Sequence, residues 1–235
     1  MKRLFTLVAV VLAVLVSLCA YGNTALIGCF NSHGAEEAVL VFPCADDGNP
    51  NTTEVSESPT QGVEAVDLGL SVKWASCNIG ATKPEEFGDY FAWGEVSPKK
   101  EYSVENSLTY AKDLEDISGD PQYDAATANW GGDWRMPTLA EYKELLEKCS
   151  WKWIKLNGVR GMRAKGPNGN TIFFPAAGAI KCFSSIYTSP YGKYWTSTSC
   201  NIHENSACVF GFAHKMLVED SDERYCGRTI RPVLD

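Results

Sequence analysis

Cysteines and histidines concentrate near the end of the chain, where they could bind a metal. Cys200, His203, Cys208 and His214 follow one another at irregular spacing. Zinc sites favour tight spacings such as C-x2-C and H-x3–5-H, which this set does not reproduce. If residues 200–208 form a loop between two strands, a local disulfide between the two cysteines explains the pattern better. We therefore predict no metal at this cluster.

An acidic cluster follows, and its carboxylates suggest two further kinds of chemistry. Calcium binds several carboxylate oxygens in a flexible loop, and a glycosidase uses one carboxyl as acid and a second as base or nucleophile. Charge runs are more often solvated surface, so we interpret this cluster as the tip of a hairpin. Its members are Glu219, Asp220, Asp222 and Glu223.

Other catalytic signatures are absent from the sequence. There is no Gly-x-Ser-x-Gly segment, no phosphate-binding loop and no paired zinc motif. The chain has 3 histidines, the residue that most often serves acid–base catalysis. We predict that the protein is not an enzyme, has no catalytic residues and needs no cofactor.

Composition and charge limit the other functions of the chain. It has 235 residues, 45% of them hydrophobic, which fits one globular domain with additional segments. The formal net charge is −8, and no basic run exceeds Lys99-Lys100. Nucleic-acid binders show a basic patch, so we predict no nucleic-acid partner.

The N-terminus has the layout of an export signal. Lys2 and Arg3 precede the uncharged apolar run 4–18, and small residues follow at Ala20 and Gly22. The run is shorter than the roughly 20 residues of a bilayer span, which favours a cleaved signal over an uncleaved anchor helix. We assign residues 1–29 to a signal peptide or lipoprotein signal.

Two cysteines near this signal are candidates for lipid attachment. Cys19 ends the apolar run, whereas Leu26-Ile27-Gly28-Cys29 resembles a bacterial lipobox more closely. We predict lipidation at Cys29 or Cys19 and an outer-membrane or cell-surface location, with simple secretion as the alternative. The membrane would then be contacted only through this anchor. Residues 30–63 are predicted to be a flexible tether, since 45–62 are rich in turn-forming and polar residues.

Residues 64–235 form the predicted domain. Thr138 and Glu141 have the spacing of a capping box, which places a helix from about 138 to 150. Residues 97–130 contain few hydrophobic residues, which predicts a long loop over the surface. We call this segment the excursion. The short strands predicted from alternation and turn signals are 66–74, 89–94, 159–164, 171–174, 193–197, 207–213 and 229–233. This pattern predicts an α+β fold with few helices and short antiparallel strands, with Trp195 in the core.

The six cysteines of this domain leave their redox state open. They are Cys77, Cys149, Cys182, Cys200, Cys208 and Cys226. An exported chain can form disulfides, and six cysteines allow 15 pairings. Buried free thiols are the alternative, because cysteine packs well as a small apolar residue.

Several stretches of this domain carry a family resemblance. They are Val66–Ala81, Gly88–Glu95, Trp134–Tyr142, Asn168–Gly178, Tyr194–Ser199 and Arg228–Val233. Together they resemble the Fibrobacter succinogenes major paralogous domain, typical of secreted proteins and lipoproteins of Bacteroidetes-type bacteria. Segment 135–142 is also similar to formylglycine-generating enzymes, which have a variant of the C-type lectin fold. The resemblance implies a C-type-lectin-like domain, although fold does not carry function with it.

The resemblance implies where a ligand would bind. In C-type-lectin-like domains the C-terminal loops form an exposed face, so we expect an exported binding module for an extracellular glycan or protein. The glutamate-proline-asparagine and tryptophan-asparagine-aspartate motifs of the lectin calcium site are missing. The candidate contact residues mix tyrosine with short polar groups: Tyr191, Asn201, His203, Glu204, Asn205, Asp222, Glu223 and Arg224. Excursion 97–130 is the alternative face.

The alternative function is a secreted enzyme related to formylglycine-generating enzymes. Such an oxidase needs a reactive cysteine pair that holds copper. Cys200, Cys208 and Cys226 lie near the end of this chain, but their surroundings do not match the arginine- and glycine-rich closing segment of those enzymes. That reaction requires thiolates held in a defined geometry, which the presence of cysteines alone does not indicate.

Overall fold

The computed structural model describes residues 63–180, 191–200, 205–214 and 216–235 with their side chains, and three earlier strands by their backbone. In chain order the elements are β1 (Ala25–Phe30), β2 (Glu36–Pro43), β3 (Glu54–Val55), β4 (Ala65–Val66), β5 (Lys73–Ala75), α1 (Ala125–Trp130), β6 (Trp134–Arg135), α2 (Leu139–Lys148), β7 (Ser150–Leu156), β8 (Val159–Lys165), β9 (Thr171–Pro175), β10 (Tyr191–Ser199), β11 (Ser206–Ala213), β12 (Met216–Glu223) and β13 (Val233–Leu234).

The strands form three sheets that are almost entirely antiparallel. Their orders are β1-β2-β12-β11-β10, β4-β5-β13-β6 and β3-β7-β8-β9, with β3 and β7 as a parallel pair. The fold is mostly antiparallel β-sheet with few helices, as the α+β prediction requires at this coarse level. Among the described residues, no helix is long and apolar enough to cross a membrane.

Part of the predicted tether belongs to the largest sheet. Strand β2 pairs with β12, with Val41 opposite Val218 and Phe42 opposite Leu217. The sequence of β2 is rich in valine, leucine and phenylalanine, residues that suit a pleated strand. The structure thus places residues 36–43 of the predicted tether 30–63 in this sheet, between β1 and β12.

Helix α2 begins as the sequence predicts. The Glu141 amide donates to Thr138 Oγ1 at 3.3 Å, and the Thr138 amide donates to Glu141 Oε2 at 2.7 Å, which confirms the capping box. Arg135 forms an ion pair with the same Glu141 carboxylate at 2.6 Å. The helix then buries Tyr142 and Leu145 against the sheet. These contacts give the Arg135–Tyr142 segment a structural role.

Strands β10 and β11 are covered on both faces by apolar side chains. One face packs Tyr194 and Phe210 beside Trp74 of the first core. The other face packs Trp195 and Val209 into a second core with the C-terminal segment. Trp195 is fully buried, which confirms its predicted core position. The excursion 97–130 packs against this second core, with Ile117 buried in it and Tyr110 beside it.

Some of the remaining predicted strands are confirmed, and others are shorter than predicted. Strands β7 to β9 form a meander, and the β8–β9 hairpin turns at 166–170 as predicted. The strand predicted at 89–94 is reduced to a bridge between Phe91 and Arg228, since Gly88 and Gly94 have φ of 71° and 74°. Of the last predicted strand, 229–233, only Val233 lies in a regular strand, β13. Segment 228–232 bonds in turn to Phe91, Trp195, Ile79 and Ala75, so it does not stay in one ladder.

Candidate functional site

The predicted contact residues divide into those the structure describes and those it does not. Asn201, His203 and Glu204 lie outside the described residues. The others are Tyr191, Asn205, Asp222, Glu223 and Arg224, and the structure places them in two groups. One group adjoins the excursion 97–130, and the other belongs to a charge cluster on β10 and β12.

Asn205 stands where the β10–β11 connection returns to the sheet. Its φ of 61° is in the left-handed region, which asparagine tolerates better than most residues. Its carbonyl accepts a hydrogen bond from the Arg224 amide at 3.0 Å, and the Cys200 amide donates to the Ser206 carbonyl at 3.0 Å. Backbone bonds therefore fix both ends of the predicted binding loop.

Arg224 is buried, with only 6% of its surface exposed. Its guanidinium lies 4.4 Å from the centroid of the Trp93 ring and donates to the carbonyls of Lys112 at 2.6 Å and Leu114 at 3.1 Å. Burial lowers its pKa from the ordinary arginine value. The sequence predicted Arg224 as a ligand contact, whereas in the structure its buried guanidinium holds the excursion in place.

The excursion is also bonded to strand β10. The Ser199 amide donates to the Glu115 carbonyl at 2.7 Å, and the Ile117 amide donates to the Ser197 carbonyl at 3.1 Å. Ile117 packs into the second core. A segment with few hydrophobic residues is thus held in one position against the end of the sheet.

Aromatic and charged side chains of the excursion meet the C-terminal segment. The Tyr110 ring lies 5.7 Å from the ring of Tyr225, whose hydroxyl donates to Glu223 Oε2 at 2.6 Å. Lys112 Nζ lies 5.0 Å from the centroid of the Tyr123 ring. We call the partly or fully exposed polar and aromatic residues of this region the excursion surface, and it consists of Tyr110, Lys112, Tyr123, Asn205 and Glu223.

Asp222 belongs to the second group, a cluster of paired charges. Lys193 Nζ lies 2.6 Å from Asp220 Oδ2 and 3.4 Å from Asp222 Oδ2, while Arg228 forms a short ion pair with Asp222. Burial acts to lower the pKa of Lys193 and of Arg228, but the neighbouring carboxylates outweigh it and raise both. Tyr191 shares the Lys193 face of β10. Two cations offset two carboxylates here, so the cluster joins strands and carries little net charge.

The acidic residues lie along strand β12 and not at a hairpin tip, which corrects our interpretation. Strand alternation places Glu219 and Glu223 on one face and Asp220 and Asp222 on the other. Glu219 pairs with Lys143 of α2 at 3.1 Å. The four carboxylates therefore do not converge on one point, and the two that share the second face, Asp220 and Asp222, are both paired with Lys193.

The cysteine and histidine residues do not assemble into a metal site in the described structure. The thiols of Cys200 and Cys208 are hydrogen-bonded to each other, and this bond together with burial raises the pKa of Cys208. His214 lies at the opposite end of β11, 5.7 Å from the ring of Trp153. Among the described residues, no group of three or more histidine, cysteine, aspartate or glutamate side chains could hold a metal.

Residue-level sequence reasoning missed three members of the excursion surface. Tyr110, Lys112 and Tyr123 lie in the segment predicted only as an excursion. The available signal was the presence of tyrosines within a long polar segment, where aromatic side chains need a packing partner or a ligand. Their contacts with the C-terminal segment depend on chain crossings that local patterns do not encode.

Comparisons with known proteins complete the description of this site. The chain was compared with protein-family models, with curated proteins and with solved structures, and none of the three comparisons found a match.

Proposed function

We propose that this chain is an exported, surface-anchored binding module for an extracellular glycan or protein. The observation that carries the proposal is the fixed position of the excursion beside the C-terminal segment, which creates the excursion surface. Buried Arg224 bonds two excursion carbonyls. The ligand face in this proposal combines the C-terminal loops with the excursion.

The chemistry of the excursion surface suits reversible recognition. Tyr110 and Tyr123 offer rigid apolar rings with polar ends, while Lys112, Asn205 and Glu223 offer both hydrogen-bond donors and acceptors. A loop that is already ordered loses less conformational entropy when a ligand binds. Binding functions commonly lie on loops positioned by a rigid scaffold. Sugars and polar protein surfaces both match this mixture.

The proposal includes a C-type-lectin-like fold of the resembled family. Its support is the mostly antiparallel sheet with few helices and the packing of the shared segments. Trp195 donates its indole N–H to the Phe91 carbonyl at 2.8 Å, and Trp93 donates to the Thr196 carbonyl at 2.9 Å. Two of the family-like segments, 88–95 and 194–199, are thereby joined in one core.

An oxidase related to formylglycine-generating enzymes is the less favoured function. The candidate thiols Cys200 and Cys208 do lie together. A reactive cysteine needs a lowered pKa, usually from a nearby cation or a helix N-terminus. The pKa of Cys208 is instead raised by the Cys200 hydrogen bond and by burial. This environment favours protonated thiols, which are poor nucleophiles and poor metal ligands.

A binding screen with a matched variant tests the proposed function. The full-length protein is applied to a glycan array and to an array of extracellular proteins, alongside the variant Lys112→Ala/Tyr123→Ala. We expect a ligand whose affinity falls at least about fivefold in the variant, equivalent to about 1 kcal/mol. Lys165→Ala, which removes an exposed lysine from β8, is the control. Equal ligand binding by all three proteins would place the face elsewhere.

A further inference from the structure

Strand pairing brings two cysteines of the C-terminal region to the same face. Cys200 faces Ser206 through the hydrogen bond from its amide to the Ser206 carbonyl at 3.0 Å. Ser206 and Cys208 are two residues apart in β11, so their side chains point to the same face. A hydrogen bond joins the two thiols, and Cys208 Sγ also lies 3.5 Å from the Ser199 carbonyl oxygen.

The two thiols differ in their access to solvent. Cys208 is partly exposed, whereas Cys200 is 8% exposed. Cys77 and Cys226 are more deeply buried, with 1% and 0% exposed. An oxidant in solution therefore reaches Cys208 first, and Cys200 is the thiol beside it. The 201–207 segment between the pair carries four of the predicted contact residues.

We propose that Cys200 and Cys208 form a disulfide in an oxidising environment and that this bond closes the 201–207 loop. The carrying observation is the contact between two thiols at the base of one strand connection. Sulfur atoms in a disulfide are about 2.05 Å apart, and rotation about the Cα–Cβ bonds brings hydrogen-bonded thiols closer together. Disulfides are stable in exported proteins, which is the location we infer for this chain.

The reaction is thiol–disulfide exchange with a small-molecule disulfide as the oxidant. The Cys208 thiolate attacks one sulfur of the oxidant, which forms a mixed disulfide and releases one thiol. The Cys200 thiolate then attacks the Cys208 sulfur and releases the second thiol. Each cysteine loses one proton, and two electrons pass from the pair to the oxidant. Because the pKa of Cys208 is raised, the rate should increase with pH above neutrality.

Closing this loop has a consequence for the proposed binding function, and this consequence rests on that function. A closed loop has fewer conformations when no ligand is bound, so less ordering is required on binding. We expect reduction of the protein to weaken ligand binding through the loop. Formation of the disulfide itself does not depend on whether a ligand exists.

The test is a disulfide map of the full-length protein. Wild-type protein is equilibrated with oxidised and reduced glutathione, alkylated under denaturing conditions and digested without reduction. We expect a linked peptide pair containing Cys200 and Cys208. Recovery of both cysteines as alkylated thiols, or of either one joined to a different cysteine, would overturn the proposal. This readout is independent of ligand binding, so it separates the two proposals.

A stability measurement supplies the second readout. Closure of so short a loop is expected to raise the unfolding midpoint by roughly 5–10 °C. Addition of dithiothreitol should therefore lower the unfolding midpoint of wild type. This decrease should exceed the decrease seen for Cys208→Ser by the same roughly 5–10 °C. Cys149→Ser is the control, since Cys149 is a buried thiol that closes no loop with these two. An equal response of wild type and Cys208→Ser contradicts the disulfide.

Discussion

The Arg224 guanidinium stacks on the Trp93 ring at 4.4 Å, inside the joint between the excursion and the C-terminal segment. The Trp93 amide donates in return to the Arg224 carbonyl at 2.8 Å. The tryptophan is fully buried, so the cation–π contact is shielded from water. Two residues far apart in sequence thus fix the backbone that carries Lys112.

Removal of this guanidinium should loosen the excursion. Arg224→Met leaves the carbonyls of Lys112 and Leu114 without their donor, and we expect a loss of about 2–4 kcal/mol in the free energy of unfolding. Hydrogen exchange measured by mass spectrometry should accelerate selectively in residues 110–117. Unchanged exchange there would show that Arg224 does not hold the segment.

The helix cap gives a contrasting variant. Thr138→Ala removes the hydroxyl that accepts a hydrogen bond from the Glu141 amide, and it should destabilise the domain by about 1 kcal/mol. Because α2 does not contribute to the excursion surface, ligand affinity and exchange in residues 110–117 should remain at wild-type values. Thermal and denaturant melts measure the first effect, and an unchanged midpoint would contradict the role of the cap.

Substitution within the C-terminal loop tests the binding face directly. The combined variant Asn201→Ala, His203→Ala, Glu204→Ala and Asn205→Gly should lose ligand binding and remain folded. The sequence predicts these residues in a surface loop, where substitutions usually change stability by under roughly 0.5 kcal/mol each. Glycine is chosen at 205 because the φ of 61° strains alanine. Titration and circular dichroism together measure the effect. Normal binding by the folded variant would restrict the face to the excursion.

Glu144 should make stability depend on acidity. Its Oε2 accepts the Ser71 amide at 3.0 Å, and Lys148 Nζ lies 2.7 Å from Oε1. Burial acts to raise the pKa of Glu144, but the hydrogen bonds from Lys148 and Ser71 outweigh it and lower the pKa below its usual range.

A lowered carboxyl pKa contributes stability that is present above about pH 4.5 and is lost as pH falls through the folded-state value. Glu144→Gln should therefore cost about 1.5 kcal/mol at pH 7 and much less near pH 3. Urea denaturation at several pH values gives this difference. A cost independent of pH would indicate that the ionised carboxylate is not the stabilising species.

Export processing can be read from the mass of the mature protein. Cleavage before Cys29 would remove residues 25–28, which pair with 38–41 in strands β1 and β2. If the N-terminus is an export signal as proposed, we therefore expect cleavage upstream of Ala25. A lipidated chain would then begin at Cys19, whereas cleavage immediately before Ala25 would remove Cys19 and leave a secreted chain. Intact-mass analysis of membrane and medium fractions measures this. A mature chain that begins at Met1 or at Cys29 would contradict the expectation.

Local patterns determined several elements of this protein. Thr138 and Glu141 fixed the start of α2, because a capping box uses atoms only three residues apart. The turn residues at 166–170 fixed the β8–β9 hairpin for the same reason, since its strands are adjacent in the chain. The apolar alternation around Trp195 indicated its burial.

Only the tertiary structure decided how distant segments meet. Strand β2 pairs with β12, and Arg224 bonds carbonyls of the excursion that lie 110 and 112 residues earlier in the chain. No local pattern encodes such partners, because each depends on the summed packing of all three sheets. The acidic residues of β12 show the same limit: their composition predicted a solvated run, but strand alternation and the cations of α2 and β10 decided where each carboxylate points.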